Sequence, residues 1–204
     1  MAQSAAPHHS LISIISNTLW KTIDLIAQHH PSFARKYYTH YIGSAYQKEY
    51  EKFNICESDS VLHVGCGTFP LTEIMLARSC QATIYGIDNR THAISAAQHY
   101  LNYQGLTDII TIEYADGINH DYAPYSVIII SSCASPKQTI LDAILTTAHP
   151  NTRIILREVE SHSAKILSFI DQKPLLQLLD HMSNHPFPFF KPFGWNSYLL
   201  QIIK

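Results

Sequence analysis

The chain is short of charge: 15% of its 204 residues are Asp, Glu, Lys or Arg, and the formal net charge is -2. With no basic excess there is no electrostatic footprint for a phosphate backbone, so nucleic acid is not an expected partner. The four cysteines, Cys56, Cys66, Cys80 and Cys133, form no CxxC pair. That spacing offers neither a zinc knuckle nor a dithiol redox motif and points to free thiols in a reducing compartment. The 13 histidines are scattered, and neighbours such as His8-His9 and His29-His30 lack an acidic partner at ligand spacing, so no metal is expected. No apolar run approaches a membrane span, and the short stretch 11–20 is broken by Ser and Asn and has no basic residue before it. No membrane partner and no secretory leader are expected, and the expected compartment is the cytoplasm.

What is present is apolar and ordered. Hydrophobic residues make up 46% of the chain, enough for one well-filled core with some additional helix. The most informative stretch is 61–77, VLHVGCGTFPLTEIMLA. An apolar run ends in Gly65-Cys66-Gly67-Thr68 and feeds a helical pattern, and a second apolar run ends in Asp88-Asn89 roughly twenty residues past the turn. This is the pattern of a strand, a glycine turn, a helix and a second strand tipped by a carboxylate. Gly65 and Gly67 allow a tight turn and close approach of backbone to ligand. Asp88 stands where ribose hydroxyls need an acceptor, and Asp116-Gly117, ending a third run, offers an acceptor for an adenine amino group. A nucleoside-containing cofactor is expected. Nicotinamide dinucleotides fit poorly, because GxGxxG would need a glycine where Pro70 stands, and without it the pyrophosphate cradle is lost.

Periodicity predicts helices over 11–26 and from about Ser32 to Phe53, then strands at 60–64, 83–87, 109–114, 126–131 and 153–157, with helices at 71–79, 91–103 and 137–148 between them. Such alternation implies an α/β, Rossmann-like, mostly parallel sheet with right-handed crossovers. After it come a helix over 163–181 interrupted near Pro174, the aromatic stretch HPFPFFKPFGW, and a last strand at 197–203 in a hairpin at the sheet edge. The expected division is an N-terminal helical cap or lid, 1–56, and a cofactor-binding domain, 57–204.

Three glycine or acidic signals at three successive strand ends, with the late hairpin, resemble class I S-adenosylmethionine-dependent methyltransferases over residues 61–204. Two departures stand out: His63 occupies a position that is commonly acidic, and Phe69 one that is commonly glycine. A narrower resemblance is to nicotianamine synthases. It rests on GCGTFPLTEIMLA, the tyrosine-rich YYTHYIGSAYQKEYEKF (37–53), YSVIIISSCAS (125–135) and IILREVESHSAKILSF (154–169), although this chain is shorter. The resemblance implies S-adenosylmethionine as substrate or donor. It also implies an amine that attacks the γ-carbon of the aminocarboxypropyl arm and releases methylthioadenosine. In the intramolecular version, known from azetidine-2-carboxylate-forming enzymes of similar build, the α-amine closes on its own γ-carbon. The alternatives are a small-molecule N- or O-methyltransferase releasing S-adenosylhomocysteine and a non-catalytic S-adenosylmethionine-binding module.

Several side chains are candidates for the chemistry. Tyr38, Tyr41 and Tyr46, among the tyrosines of 37–50, are spaced to share a helix face and pack on a sulfonium, or else to serve as core with polar tips. By the narrower resemblance Glu49 corresponds to an acidic residue facing the reacting amine, which must lose a proton before it attacks; its other reading is a solvated face beside Lys48, Glu51 and Lys52. Ser131, Ser132, Cys133 and Ser135 follow the fourth strand, where substrate groups gather on this fold, and no NPPY-like motif accompanies them. Arg157, with Glu158, Glu160 and His162, follows the fifth strand and is suited to clamp a carboxylate, against a surface cluster of mixed charge. Trp195 and the phenylalanines before it are expected to pack the sheet edge, against the alternatives of a substrate-pocket wall or a dimer contact. A small-molecule substrate is expected, with monomer or homodimer both open.

Overall fold

The computed structural model describes residues 34–185 and 194–204, with Thr18 and Thr22; the side chains of 34–38 are outside the described part. The expected first helix, apart from Thr18 and Thr22, and Phe187, Phe189, Phe190 and Phe193 fall outside the described residues. A helix of π-type winding, Ala34–Gly43, leads directly into α1, Ser44–Lys52. Strands and helices then alternate: β1 (Ser60–Val64), α2 (Leu71–Ser79), β2 (Thr83–Asp88), α3 (Thr91–Gln104), β3 (Ile110–Tyr114), β4 (Val127–Ile130), α4 (Lys137–Thr147) and β5 (Arg153–Val159). A short 3-10 turn precedes α5 (Ser163–Asp171), and β6 (Leu176–Asn184) and β7 (Trp195–Ile202) follow.

The strands form one seven-stranded sheet in the order β3-β2-β1-β4-β5-β7-β6. β1 to β5 are parallel, and β7 runs antiparallel between β5 and β6. The central strands read as unbroken apolar runs because helices cover both faces: Val127 to Ile130 and Ile154 to Leu156 are fully buried. One core holds Val61, Ile84, Ile129 and Ile155 with Tyr50, Phe53, Phe69, Leu71, Leu76 and Trp195; the opposite one holds Leu62, Ile128, Leu156 and Leu141. α1 is thus built into the core through Tyr50 and Phe53 and is tied to the sheet by Arg153, whose guanidinium donates to the Phe53 carbonyl.

The helix expected over 163–181 is a correction. α5 stops at Asp171, and residues 176–184 are β6, paired along β7 with a bulge between Leu178 and Asp180. Pro174 cannot continue a helix, and the exposed edge of β7 supplies the hydrogen bonds that 176–184 would otherwise make along a helix axis. The chain crosses between β1 and β4 in opposite directions, so a crevice opens at the carboxyl ends of these two strands.

Candidate active site

The glycine turn is held open by β2. The Gly65 and Cys66 N–H groups both donate to the Ile87 carbonyl, at 2.8 and 3.0 Å. Gly65 has φ +86° and a Cβ there would lie 3.2 Å from the Ser131 Cβ, so the position favours glycine on both backbone and steric grounds. The turn separates two cavities. The first, of about 320 Å³, is lined by Gly65, Asp88, Asn89, Arg90, Asp116 and Gly117, with Cys133 and Ser135 on its β4 side. The second, of about 90 Å³, lies between the turn, the loop after β4 and α1; Tyr46, His63, Thr72, Ser132, Arg157 and Trp195 line it.

In the first cavity Asp88 is 5% exposed, and its carboxylate accepts from the Gly67 and Arg90 N–H groups and from the Arg90 guanidinium. Burial alone would raise its pKa, but the guanidinium and the two backbone donors outweigh it and hold the pKa below the usual carboxylate range. Asp116 is exposed and uses Oδ1 to accept the Ile118 N–H, which turns the chain after β3 toward the cavity. Two carboxylates from successive strand ends, Asp88 and Asp116, therefore line one cavity.

The second cavity is floored by a buried polar network. Arg157 is 2% exposed and donates through Nε and Nη2 to Glu49, through Nη1 to Thr72 at 2.7 Å and through Nη2 to the Tyr50 hydroxyl. Its guanidinium carbon lies against the Tyr46 ring face, 3.9 Å from the centroid. Ser197, opposite Arg157 in the β5–β7 register, donates to the second Glu49 oxygen. Burial opposes the Arg157 charge, but Glu49 raises its pKa above the ordinary arginine value, and burial pushes the Tyr50 hydroxyl up as well. Beside this network a second pair stands: His63 Nδ1 and Glu73 Oε1 are 2.7 Å apart, both residues buried, while His63 Nε2 and Glu73 Oε2 have no partner among the described residues. Gly86 on β2 makes room for it, since a Cβ there would meet Glu73 Oε1 at 2.7 Å.

The expected solvated face for Glu49 is corrected: the residue is fully buried, because α1 turns it onto Arg157 while Lys48 and Glu51 face outward. A surface cluster for Arg157 and Glu158 is corrected in the same way; both are buried, and Glu158 pairs with Lys137 at 3.2 Å on the other side of β5. Arg157 does clamp a carboxylate, and that carboxylate belongs to Glu49. Of the tyrosines, Tyr46 lines the cavity, whereas Tyr41 is 40% exposed, packs edge-on against His40 and lines neither cavity. The π-type winding takes more residues per turn than an α-helix and so moves Tyr41 off the face that α-spacing assigns it. Tyr38 lies on the same helix, with its side chain outside the described part. Thr68 is half-buried and lines neither cavity, while Cys66 and Ser131 line the second and Gly117 closes the first. Trp195 packs against Tyr46 at 5.5 Å and lines the second cavity, so its place is the pocket wall rather than the outer sheet edge. Sequence reasoning missed Arg90 and Glu73. Only the offset of Arg90 from Asp88 carried a signal, since a guanidinium two residues past a strand-end carboxylate can fold back onto it.

The family described as Protein-L-isoaspartate(D-aspartate) O-methyltransferase (PCMT) matches residues 37–173. No curated protein matches the chain. Among solved structures, a Glu-to-Gln mutant of MtNAS, a nicotianamine synthase, in complex with S-adenosylmethionine is similar with a TM-score of 0.77 at 15% identity, over 95% of this chain and 77% of that one. MtNAS in complex with MTA and tNA gives a TM-score of 0.73 at 15% identity, over 95% and 75%. An RNA methyltransferase from Salinibacter ruber in complex with S-adenosyl-L-homocysteine gives 0.60 at 16% identity, over 79% and 92%. These likenesses establish a Rossmann-like methyltransferase fold.

Proposed function

The chain belongs to the protein-L-isoaspartate(D-aspartate) O-methyltransferase family, a family of the methyltransferase fold, and on that premise we propose that it is an enzyme in which an amine attacks the γ-carbon of S-adenosylmethionine. The first cavity takes the adenosine and the second the arm and its nucleophile. The observation that carries this reading is the second cavity itself: about 90 Å³, walled by Tyr46 and Arg157 and backed by Glu49. It suits an aminocarboxypropyl arm that either receives a small amine or closes on its own α-amine to azetidine-2-carboxylate. Orientation decides which sulfonium carbon reacts, and a tight pocket around the arm favours the γ-carbon over the methyl group. The likeness to MtNAS covers 95% of this chain, and MtNAS is described in complex with MTA, the nucleoside that γ-carbon attack leaves. Of the segment 1–56, the described helix α1 brings Tyr46 to the wall of the cavity that takes this arm.

In the reaction the attacking nitrogen forms a bond to the γ-carbon, the carbon–sulfur bond breaks, and its electron pair neutralises the sulfonium as methylthioadenosine departs. The attacking amine must be unprotonated, and the buried carboxylates of Glu49 and Glu73 together with His63 set the field around it. Methyl transfer to a small carboxylate or amine is the second reading, favoured by the family's own description. Incubation of the purified protein with S-adenosylmethionine alone, with the nucleoside identified by mass spectrometry, separates the two. Methylthioadenosine above the protein-free background is expected. S-adenosylhomocysteine formed only with an added acceptor, and no methylthioadenosine, overturns the lead reading.

A further inference from the structure

His63 and Glu73 form a buried pair that stands apart from the network around Arg157. Side chains alternate along β1, so His63 shares a sheet face with Val61, which packs with Tyr50, Phe69 and Leu71. Val64 takes the opposite face and lines the first cavity, while His63 lines the second. His63 is 4% exposed, and Glu73, on α2, is 0% exposed. Nδ1 lies 2.7 Å from Glu73 Oε1. A carboxylate partner assigns the tautomer: Nδ1 carries the hydrogen and donates it, which leaves Nε2 as a lone pair. Nε2 has no hydrogen-bond partner among the described residues. A buried polar atom of this kind calls for a partner, and an occupant of the cavity that His63 lines supplies one.

An amine that attacks a sulfonium carbon must first lose its proton, so the second cavity needs a group that takes it. The other groups around His63 are poor acceptors. Arg90 and Arg157 are cations with no acceptor atom. Glu49, behind Arg157, accepts from that guanidinium on both oxygens and from Ser197 on the second. Burial first, then the Glu73 and Asp88 charges, push the Cys66 thiol far up and keep it protonated. Burial also raises the Tyr50 hydroxyl, which donates to the Thr72 carbonyl. Tyr46 turns its ring face to Arg157, and Cys133 is exposed after β4. The strand neighbours in register with His63 are Gly86 and Ile129, which do not titrate. We propose that His63 is the base of this site: its Nε2 takes the proton that the attacking amine sheds, and Glu73 is the positioning residue that holds Nδ1–H and steadies the imidazolium. The ammonium N–H bond breaks and the proton moves to Nε2. The freed nitrogen pair forms the bond to carbon, and the carbon–sulfur pair returns to sulfur. The imidazolium gives its proton to solvent as product leaves. This rests on the reading of the paired cavities as an S-adenosylmethionine site and deepens it by naming where the amine's proton goes.

Turnover of S-adenosylmethionine by wild type, His63→Asn and Glu73→Gln is followed as nucleoside product across the acid, neutral and alkaline range. Asn keeps an amide where Nδ1 stands and removes Nε2. Its kcat is expected to fall about 100-fold near neutrality, the scale of a lost general base. The deficit shrinks as pH rises past the amine's own ionisation, because an amine that is already neutral needs no base. Calorimetric affinity for methylthioadenosine, which lacks the arm and its amine, stays at the wild-type value. A deficit of one size at every pH, as packing damage gives, or no deficit, overturns the proposal. Glu73→Gln keeps the shape and the acceptor for Nδ1–H but removes the charge that favours the imidazolium. Its acid limb is expected to move to lower pH and its rate above that limb to fall, since a weaker base drives proton transfer less. This variant carries the test if His63→Asn does not fold, and an acid limb that stays in place overturns the proposal. S-adenosylhomocysteine in place of methylthioadenosine overturns the γ-carbon reading alone, and the same pH comparison is then read on that product. Wild type that forms neither nucleoside overturns both.

Discussion

Arg157 shows how the meaning of a residue changes with what surrounds it. Its guanidinium is satisfied by Glu49, Thr72 and Tyr50 and covered by the Tyr46 ring. Removing the carboxylate leaves a buried charge with no counter-charge, so Glu49→Ala is expected to cost about 3–5 kcal/mol in urea unfolding. Replacing both partners by apolar residues, Glu49→Leu with Arg157→Met, is expected to recover most of that loss, and a double-mutant cycle measures it. Asp59 is the second residue with a fixed counter-charge: Arg153 Nη2 lies 2.7 Å from it, and the Cys56 N–H and Ser126 hydroxyl also donate to it. Burial opposes ionisation, yet these donors lower its pKa in the folded state. The carboxylate is therefore more acidic when folded than when unfolded. Its stabilisation is complete above the unfolded value near about 4 and fades as pH falls through the lower folded value. Asp59→Asn is expected to flatten the acid limb of stability against pH, measured by unfolding midpoints between pH 6 and the acid transition. Neither pair was legible in the sequence, because Glu49 and Arg157 are 108 positions apart and Arg153 and Asp59 are 94 apart, and no local pattern links such partners.

At the scale of elements the reading was close where period and punctuation agreed. β1, the glycine turn and α2 were legible because an apolar run, two glycines and Pro70 mark strand, turn and helix start in order. α3 ends at Gly105 in the left-handed conformation, a stop visible in the sequence. β6 was not legible: its alternation is interrupted by the bulge after Leu178, and much of its outer face is exposed, so residues 176–184 lack a strand's clean period. The π-type winding before α1 was equally hidden, and with it the position of Tyr41. An element-scale prediction concerns β2. Its Gly86 sits against Ile112 Cδ1 at 2.6 Å and Glu73 Oε1 at 2.7 Å from an added Cβ, so Gly86→Ala pushes into the His63–Glu73 pair. The expected cost is about 1–3 kcal/mol, together with weaker binding of S-adenosylmethionine through the displaced turn, both read by ligand-dependent thermal shift.

For the molecule as a whole, the sheet order sets the site at the reversal between β1 and β4, and the family and the fold agree on a methyltransferase scaffold. Fold alone does not choose among the carbons of a sulfonium. In the proposed reading that choice falls to the second cavity, built from α1, the loop after β4, β5 and β7, which converge only in the folded chain. That Gly65, Asp88, Asn89, Asp116 and Gly117 would meet at one cavity was legible because they are strung along successive strand ends. Tyr46, Ser132 and Arg157 were singled out in the sequence, but their convergence with Trp195 on the second cavity was not legible, because the four come from distant segments. Among the described residues no helix is long and apolar enough to cross a membrane. The measurement that tests the central claim most directly is turnover of S-adenosylmethionine labelled with deuterium on the methyl group. The expected result is labelled methylthioadenosine, with the methyl group still on sulfur and the arm lost to an amine. Unlabelled S-adenosylhomocysteine, with the label carried off on an acceptor, contradicts the account and makes the protein a methyltransferase in chemistry as well as in fold.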